Sequence, residues 1–333
     1  MKKLLMPLLL LLLLLGGCSA KKQVYQTVYL DVFDTVTTIR GYDVSEEAFR
    51  EKAEAVHAEL QQYHALFDIY HDAPMGIYAI NSNAGVSPVR VDDRVMALLT
   101  DCREYYELTG GRVNIAMGSV LRLWHEAREA GLNDPDNARL PDREQLARAA
   151  EHVSFDTVLL DEANGTVFLT DPEQRLDVGA VAKGWTAQQV SRLLPEGYLL
   201  NLGGNVCALG SKPDGSKWVI GVQSPENPDS YLCTVGLQST SLVTSGDYQR
   251  YYTVEGRRYH HIIDPDTLMP SEFWRSVTIL CPDSGLADCL STALFLMPLE
   301  EGRELAMQCG AEVMWVDTQN QIFYTDGFRE LLK

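Results

Sequence analysis

From Val153 onward the chain is written in short β runs, and this constrains its fold more than any other feature. "VSFDTVLLDEANGTVFLT" is two such runs around Asn164-Gly165, a dipeptide that suits the left-handed turn of a tight hairpin. Further runs follow at "YLLNLGGNVCALG", "KWVIGVQ", "YLCTVGL", "SLVTSG", "QRYYTVEGRRYHHII", "SVTILC", "EVMWVD" and "QIFYTDG". Two helical patterns interrupt them, roughly Ala182 to Leu194 and Gly285 to Met297. Strands at such short spacing pair antiparallel, because parallel neighbours need a long crossover between them. The expectation is an α+β fold, antiparallel sheet with packed helices.

The amino half is more helical. "VYLDVFDTVTTIRGY" alternates and is rich in Val and Thr, so it reads as a strand. "SEEAFREKAEAVHAELQQYHALF" has Ser45 as N-cap, early glutamates and apolar residues at helical spacing. "DDRVMALLTDCREYYELTG" reads as a second helix, ended by Gly110 and Gly111. The charged stretch from Glu126 to Arg148, with Asn133, Asp134, Pro135 and Pro141, predicts a loop or surface excursion and then a helix into Glu151. No repeat or Pro/Gly/Ser-rich linker divides residues 27–333, which are expected to form one domain.

The first residues, "MKKLLMPLLLLLLLLGGCSAKK", place Lys2 and Lys3 before a leucine-rich run and small residues before Cys18. This is the anatomy of a secretory signal, and Leu15-Gly16-Gly17-Cys18 resembles a bacterial lipobox. Residues 1–17 would be removed, Cys18 lipidated, and 18–26 would tether the domain to the outer face of the cell membrane. A retained transmembrane helix is the alternative, although the run is short for a bilayer span. The formal charge of −18, from 28 Lys and Arg against 46 Asp and Glu, argues against a nucleic-acid partner. The other six cysteines are scattered without a CxxC, which indicates neither a zinc site nor a disulfide framework.

Four segments could carry chemistry. "RLDVGAVAKGWTAQQV" runs from Asp177 through Gly179 into a helix opening near Lys183, where unpaired N–H groups and a lysine suit a phosphate; a plain strand-to-helix corner would look the same. Gly203-Gly204 inside a β pattern marks either a bulge or a close approach of ligand to backbone. In "CPDSGLADCLSTALFLM", Asp288, Ser291 and Thr292 fall on one helical face, an oxygen set suited to Mg²⁺. Equally, the acid could answer the helix dipole and the hydroxyls could bond backbone carbonyls. In "RYHHIIDPDTLMP" a histidine beside a phosphate could move a proton, while Asp264-Pro265 is also a common turn.

Taken in order, "LFDIYHD", "GRVNIAMG", "DVGAVAKGW", "NLGGN", "TSGDY", "HIIDPDT" and "LADCLSTAL" resemble the motifs of the ApbE family, the FAD:protein FMN transferases. The likeness covers nearly all of the mature chain. It implies a T-fold-related catalytic domain that uses Mg²⁺ to split FAD, joins FMN to a Thr or Ser of an acceptor flavoprotein and releases AMP. The acceptor would be, for example, a redox-pump subunit or an FMN-binding domain protein. Carried over by position, Asp288, Thr292, Ser291 and the Ala180 carbonyl would hold the metal. Asp177, Lys183, Gly203, Gly204, His261 and Ile262 would line the FAD, with Phe33, Tyr70, Val113, Asn114 and Ile115 from the first half. His261 and Asp288 would be catalytic, and His260 would point to the opposite face. The chain departs from the pattern at Asn114 (often Asp), Ser119 (Pro) and Leu268 (Gly). The same site would serve an FAD pyrophosphatase, and a flavin-binding lipoprotein without catalysis would need no metal.

Overall fold

The structure is a computed structural model describing residues 21–227 and 229–332. Cys18 and the leucine run lie outside the described residues. In chain order the elements are β1 (Gln23–Val32), β2 (Thr35–Asp43), α1 (Glu46–Phe67), α2 (Ile77–Ser82), β3 (Val89–Arg90), α3 (Asp93–Leu108), α4 (Gly118–Asn133), α5 (Arg143–Ala149), β4 (Val158–Asp161), β5 (Thr166–Leu169) and α6 (Ala182–Ser191). There follow β6 (Tyr198–Leu202), β7 (Asn205–Leu209), β8 (Trp218–Gln223), β9 (Tyr231–Leu237), β10 (Thr240–Gly246), β11 (Tyr251–Val254), β12 (Arg257–His260) and β13 (Trp274–Cys281), then α7 (Ser284–Phe295), α8 (Leu299–Gln308), β14 (Glu312–Asp317), β15 (Ile322–Tyr324) and α9 (Asp326–Glu330).

One eight-stranded sheet, ordered β1-β2-β6-β7-β10-β13-β14-β15, organises the molecule, and every strand pair in it is antiparallel. Each strand alternates its side chains between two cores. On β6, Tyr198, Leu200 and Leu202 enter the main core beneath α1, α6 and α7, whereas Leu199 faces the second, where the β8–β9 hairpin and Phe328 of α9 pack. A third, smaller core joins α4 to the β11–β12 hairpin through Met117, Val120, Trp124, Leu146, Tyr252 and Ile263. The α+β expectation is met, and the hairpin around Asn164-Gly165 is β4–β5, with Gly165 at φ +63°.

Three local readings are corrected. The amino-terminal β run is a hairpin, not one strand: Phe33 and Asp34, at φ 55° and 50°, make a turn with both central residues left-handed. The pattern concealed it because such turns are signalled by Asn-Gly or Asp-Gly, and here the Phe33 N–H is held instead by His64 Nδ1 at 3.1 Å. The sheet also begins at Gln23, inside the stretch 18–26 read as tether. Finally, residues 126–133 are helical. Val120, Trp124 and Gly131 give α4 a buried stripe, the charged residues are on its other sides, and Asn133-Asp134-Pro135 ends the helix.

Candidate functional site

A cleft of about 720 Å³ opens where the end of the main sheet, α6 and α7 face α4 and the β11–β12 hairpin. Its size suits a large organic ligand.

The inner wall is set by the crossing of α6 and α7. Asp288 is 4% exposed, and its Oδ2 accepts the Gly184 N–H at 2.7 Å. That N–H belongs to the first turn of α6, where no carbonyl is available to it. The helix start expected to be open to a phosphate is thus partly closed by a carboxylate. Gly184 is required here, because a Cβ would collide with Asp288 Cβ and the Ser284 carbonyl. Asn205 completes the contact: turned with its amide nitrogen toward the acid, the orientation that satisfies both partners, it would donate to Asp288 Oδ1 at 3.3 Å and accept from Gly184 at 3.1 Å. Lys183 Nζ stands 3.8 Å from Asp288 Oδ2. Burial pushes the Asp288 carboxyl above its usual range, and Lys183, Gly184 and Asn205 oppose that only in part. The dipole reading of Asp288 fails, since Asp283 caps α7 by accepting from Leu286 N–H at 2.8 Å.

Thr292 and Ala180 line the cleft beside Asp288, whereas Ser291 does not. Its fully buried hydroxyl bonds the Asp288 carbonyl at 2.9 Å and Ser245 Oγ at 2.8 Å, so the two flanking helical positions part company. Gly203, at φ +58°, lies against Thr35 so closely that a side chain would strike it. Gly204 is outside the lining, donating its N–H to Asn201 Oδ1 at 2.8 Å.

The two adjacent histidines separate by role. His260 has both ring nitrogens engaged: the Ile262 N–H donates to Nδ1 at 3.2 Å, which leaves Nε2–H to donate to the Ser271 carbonyl at 2.8 Å. It is a half-buried strut, edge-on to Phe295, and it lines the same cleft as His261, neither pointing to the opposite face nor freely replaceable as expected from strand alternation. His261 follows the last residue of β12 and is exposed to the cleft. Its Nδ1 is 3.2 Å from the Arg250 carbonyl, so Nδ1 carries the proton and Nε2 is a free acceptor. Desolvation by the surrounding walls, then the charge of Arg250, with His260 and Lys183, pushes this imidazole down to about 3. It is neutral at pH 7.

The outer wall is assembled differently. Asp68 Oδ1 accepts from the N–H groups of Tyr70 and His71 at 2.6 and 3.0 Å, a turn that presents the exposed Tyr70 ring 5.2 Å from that of His125. Asn114 donates to the Val153 carbonyl and accepts from Ala116 N–H, both at 2.9 Å, a pairing that an aspartate could not make with a carbonyl. Val113 lines the cleft. Ile115 is buried in the main core and acts through its carbonyl, which accepts from Asp177 N–H at 2.8 Å. Burial raises the Asp177 carboxyl, against the Gly179 N–H and the charges of His125 and Arg250. At the corner Asp264 Oδ1 accepts from Asp266 and Thr267 N–H, and Leu268 keeps the left-handed conformation, φ +60°, that a glycine would adopt freely. Its carbonyl accepts from Trp124 Nε1 at 3.0 Å. Phe33, Asp177, Lys183 and Ile262 also line the cleft.

Trp124, His125, Arg128 and Arg250 line it too, and they went unrecognised in the sequence. Three of them lie on α4, at or beside the stretch read as loop, and Arg250 follows a quoted "TSGDY" in which only the turn was read. Asn205 closes "NLGGN" without having been singled out. Among the described residues no group of three or more His, Cys, Asp or Glu is placed to hold a metal. What the cleft offers instead is one under-neutralised carboxylate, the Thr292 hydroxyl and the Ala180 backbone, an all-oxygen set that fits Mg²⁺, a hard cation that keeps waters and takes ligand phosphates.

The sequence model of the ApbE family matches residues 33–315. A curated relative from Treponema pallidum named FAD:protein FMN transferase is 33% identical over 308 residues, 86% of this chain and 83% of its own. One of the same name from Klebsiella pneumoniae is 34% identical over 256 residues, 75% of this chain and 77% of its own. The solved ApbE protein of Thermotoga maritima is similar at a TM-score of 0.82 and 30% identity, covering 93% of this chain and 100% of that one. Apo flavinyl transferase ApbE of Pseudomonas stutzeri is similar at 0.78 and 25% identity, covering 93% and 97%.

Proposed function

The chain belongs to the ApbE family, and from that premise we propose that it transfers FMN from FAD to a Thr or Ser hydroxyl of an acceptor flavoprotein, with Mg²⁺ and with release of AMP. The observation that carries the reading is the convergence, in one cleft of sufficient size, of Asp288, Thr292, Ala180, Lys183, Gly203 and His261. Asp288, Thr292 and the Ala180 carbonyl would hold the cation, whose charge, when bound, would offset that of the phosphoryl oxygens and of the leaving AMP.

The protein's own groups do the rest. Lys183 stands beside Asp288, where it can neutralise a phosphate. Gly203, with no side chain, leaves the backbone of its turn open to the ligand. Tyr70 offers a ring face to one of the aromatic ends of FAD. His261, neutral and with Nε2 free, accepts the hydroxyl proton as the new oxygen–phosphorus bond forms and the pyrophosphate bond to AMP breaks. Anionic phosphates facing Arg250 and Lys183 would offset the charges that depress His261 and so raise its basicity.

One incubation tests this: purified protein, FAD, Mg²⁺ and an acceptor flavoprotein, followed by a denaturing gel. Covalent flavin fluorescence on the acceptor, abolished by EDTA, supports transfer. Free FMN and AMP without a covalent product would make the protein a pyrophosphatase, and intact FAD would make it a carrier. We also propose that the mature chain is lipid-anchored through Cys18 to the extracytoplasmic face of the membrane, on the strength of the signal anatomy alone. Cys18→Ser should then leave the membrane fraction, and attachment that survives would indicate a retained helix.

A further inference from the structure

The two faces of the β1–β2 end of the sheet are not alike. One packs on α1, with Tyr25 against Phe49 and Ile39 fully buried. On the other, β8–β9 covers the centre of the sheet as far as Tyr42, whose ring meets Trp218 at 5.8 Å, and stops there. The register places Val24 opposite Tyr42 and Val28 opposite Thr38, on that same face. Val24, Val28, Leu30 and Val36 are 43, 47, 72 and 53% exposed, and β1 is the terminal strand of the sheet.

Basic side chains border this apolar strip in a chain of net charge −18. Lys21 and Lys22 are exposed at the start of β1, and Arg40, exposed, pairs with Gln26 across the hairpin and so stands within the strip, between Val24 and Val28. Lys22 and Lys212 line one small groove together with Glu196, and the loop holding Lys212 is closed by its N–H on the Ser216 carbonyl, which brings Lys217 to the same corner. The acids at that corner are Glu196 and Asp214, the latter bonded to Ser216 of its own loop, and at the far tip of the hairpin Asp31 and Asp34 are exposed, Asp31 held by His57 and Gln61.

We propose that this bare face of the β1–β2 hairpin rests on an anionic lipid surface. The inference depends on the lipidation of Cys18 proposed above. Four residues separate Cys18 from Gln23, and the five steps between them span at most about 17 Å of extended chain, so an anchor at Cys18 holds β1 against the headgroups. Apolar side chains for the acyl boundary, bordered by lysines for the phosphates, are the chemistry by which a surface lies on a membrane, and a polybasic border reinforces a lipid anchor.

The test uses the full lipidated chain on vesicles of phosphatidylglycerol with phosphatidylcholine, on phosphatidylcholine alone, and in detergent. Sedimentation reads the anchor and hydrogen exchange reads the docking. Amides of β1 should exchange slower by on the order of tenfold on the anionic vesicles, less so in high salt. A V28D/L30D variant should still sediment and lose that slowing, with its thermal midpoint confirming the fold. Unchanged β1 exchange in protein that sediments overturns the docking and spares the lipidation. Slowing that appears only on adding acceptor flavoprotein also overturns it, in favour of a protein partner, and equal slowing on phosphatidylcholine overturns the role of the lysines. A chain that fails to sediment overturns lipidation and this inference with it.

Discussion

The inner and outer walls of the cleft are built on opposite principles. The inner wall is a crossing of two buried helices in which one glycine, one carboxylate and one amide fix each other, and nothing there can shift without disturbing the main core. The outer wall is a set of turns and ion pairs around a small core, with Tyr70 exposed and Arg112 bridging to Asp266 at 2.5 Å across the surface. The groups proposed to meet phosphate and cation, Asp288, Thr292 and Lys183, sit on the rigid wall, and the adaptable one carries the Tyr70 ring and, at the end of β12, His261. The difference teaches where substitutions should stop the chemistry and where they should only loosen binding.

The largest effect is expected at Asp288. Asp288→Ala should lower FMN transfer by on the order of 10³ or more, measured as covalent fluorescence on the acceptor. Because the acid is buried, the change also takes from the Gly184 N–H its 2.7 Å acceptor and from Lys183 its carboxylate partner, which costs about 1–3 kcal/mol of stability, readable by denaturant unfolding. Activity within tenfold of the parent would remove the inner wall's claim to the chemistry.

The histidines sharpen the comparison within one dipeptide. His261→Ala should slow transfer by on the order of 10² while FAD binding changes little. His260→Ala should instead destabilise by about 2 kcal/mol, since the Ser271 carbonyl and Ile262 N–H lose their partner. Both imidazoles are depressed in the folded protein, so the unfolded chain binds protons first, near pH 6.5. Their contribution to stability is therefore complete above that pH and declines as pH falls toward the folded values, about 3 for His261. The drop in unfolding midpoint between pH 7 and 5 should be smaller in His261→Ala than in the parent. Equal mild effects of the two substitutions on transfer would assign the proton to another group.

On the outer wall, Tyr70→Ala should raise KM for FAD by about tenfold with kcat nearly unchanged, the scale of one lost stacking contact. A fall in kcat as large as that of Asp288→Ala would erase the distinction between the walls. Smallest of all is the corner. Leu268→Gly relieves a left-handed side chain but gives up its packing on the third core, and the two terms should leave stability within about 1 kcal/mol of the parent in thermal unfolding.

The sheet-rich half was legible because short alternating runs and an Asn-Gly turn speak through local chemistry alone. The turn at Phe33-Asp34 was not, since its left-handed residues carry side chains and are stabilised by His64, thirty-one positions away. Helix α4 was obscured because its charged solvent side and its terminal proline were read as breakers in one window. In the site, Asp288 and Thr292 follow from helical spacing, but the same rule admitted Ser291, and only the neighbouring strand residue Ser245 decides that its hydroxyl turns away. His125, Arg128 and Arg250 carry no spacing signal at all, because the topology alone brings α4 and the chain ahead of β11 to the same opening.

The third core has a thermodynamic meaning of its own. Met117, Val120, Trp124, Leu146, Tyr252 and Ile263 cohere without belonging to the main core, so α4 and the β11–β12 hairpin are expected to open together, at a lower free energy than the sheet, in native-state hydrogen exchange. Such a unit can breathe while the inner wall stays folded. A molecule as long as FAD could then enter, and a protein side chain could approach it, at the cost of a local fluctuation and without melting the inner wall proposed to hold its phosphates.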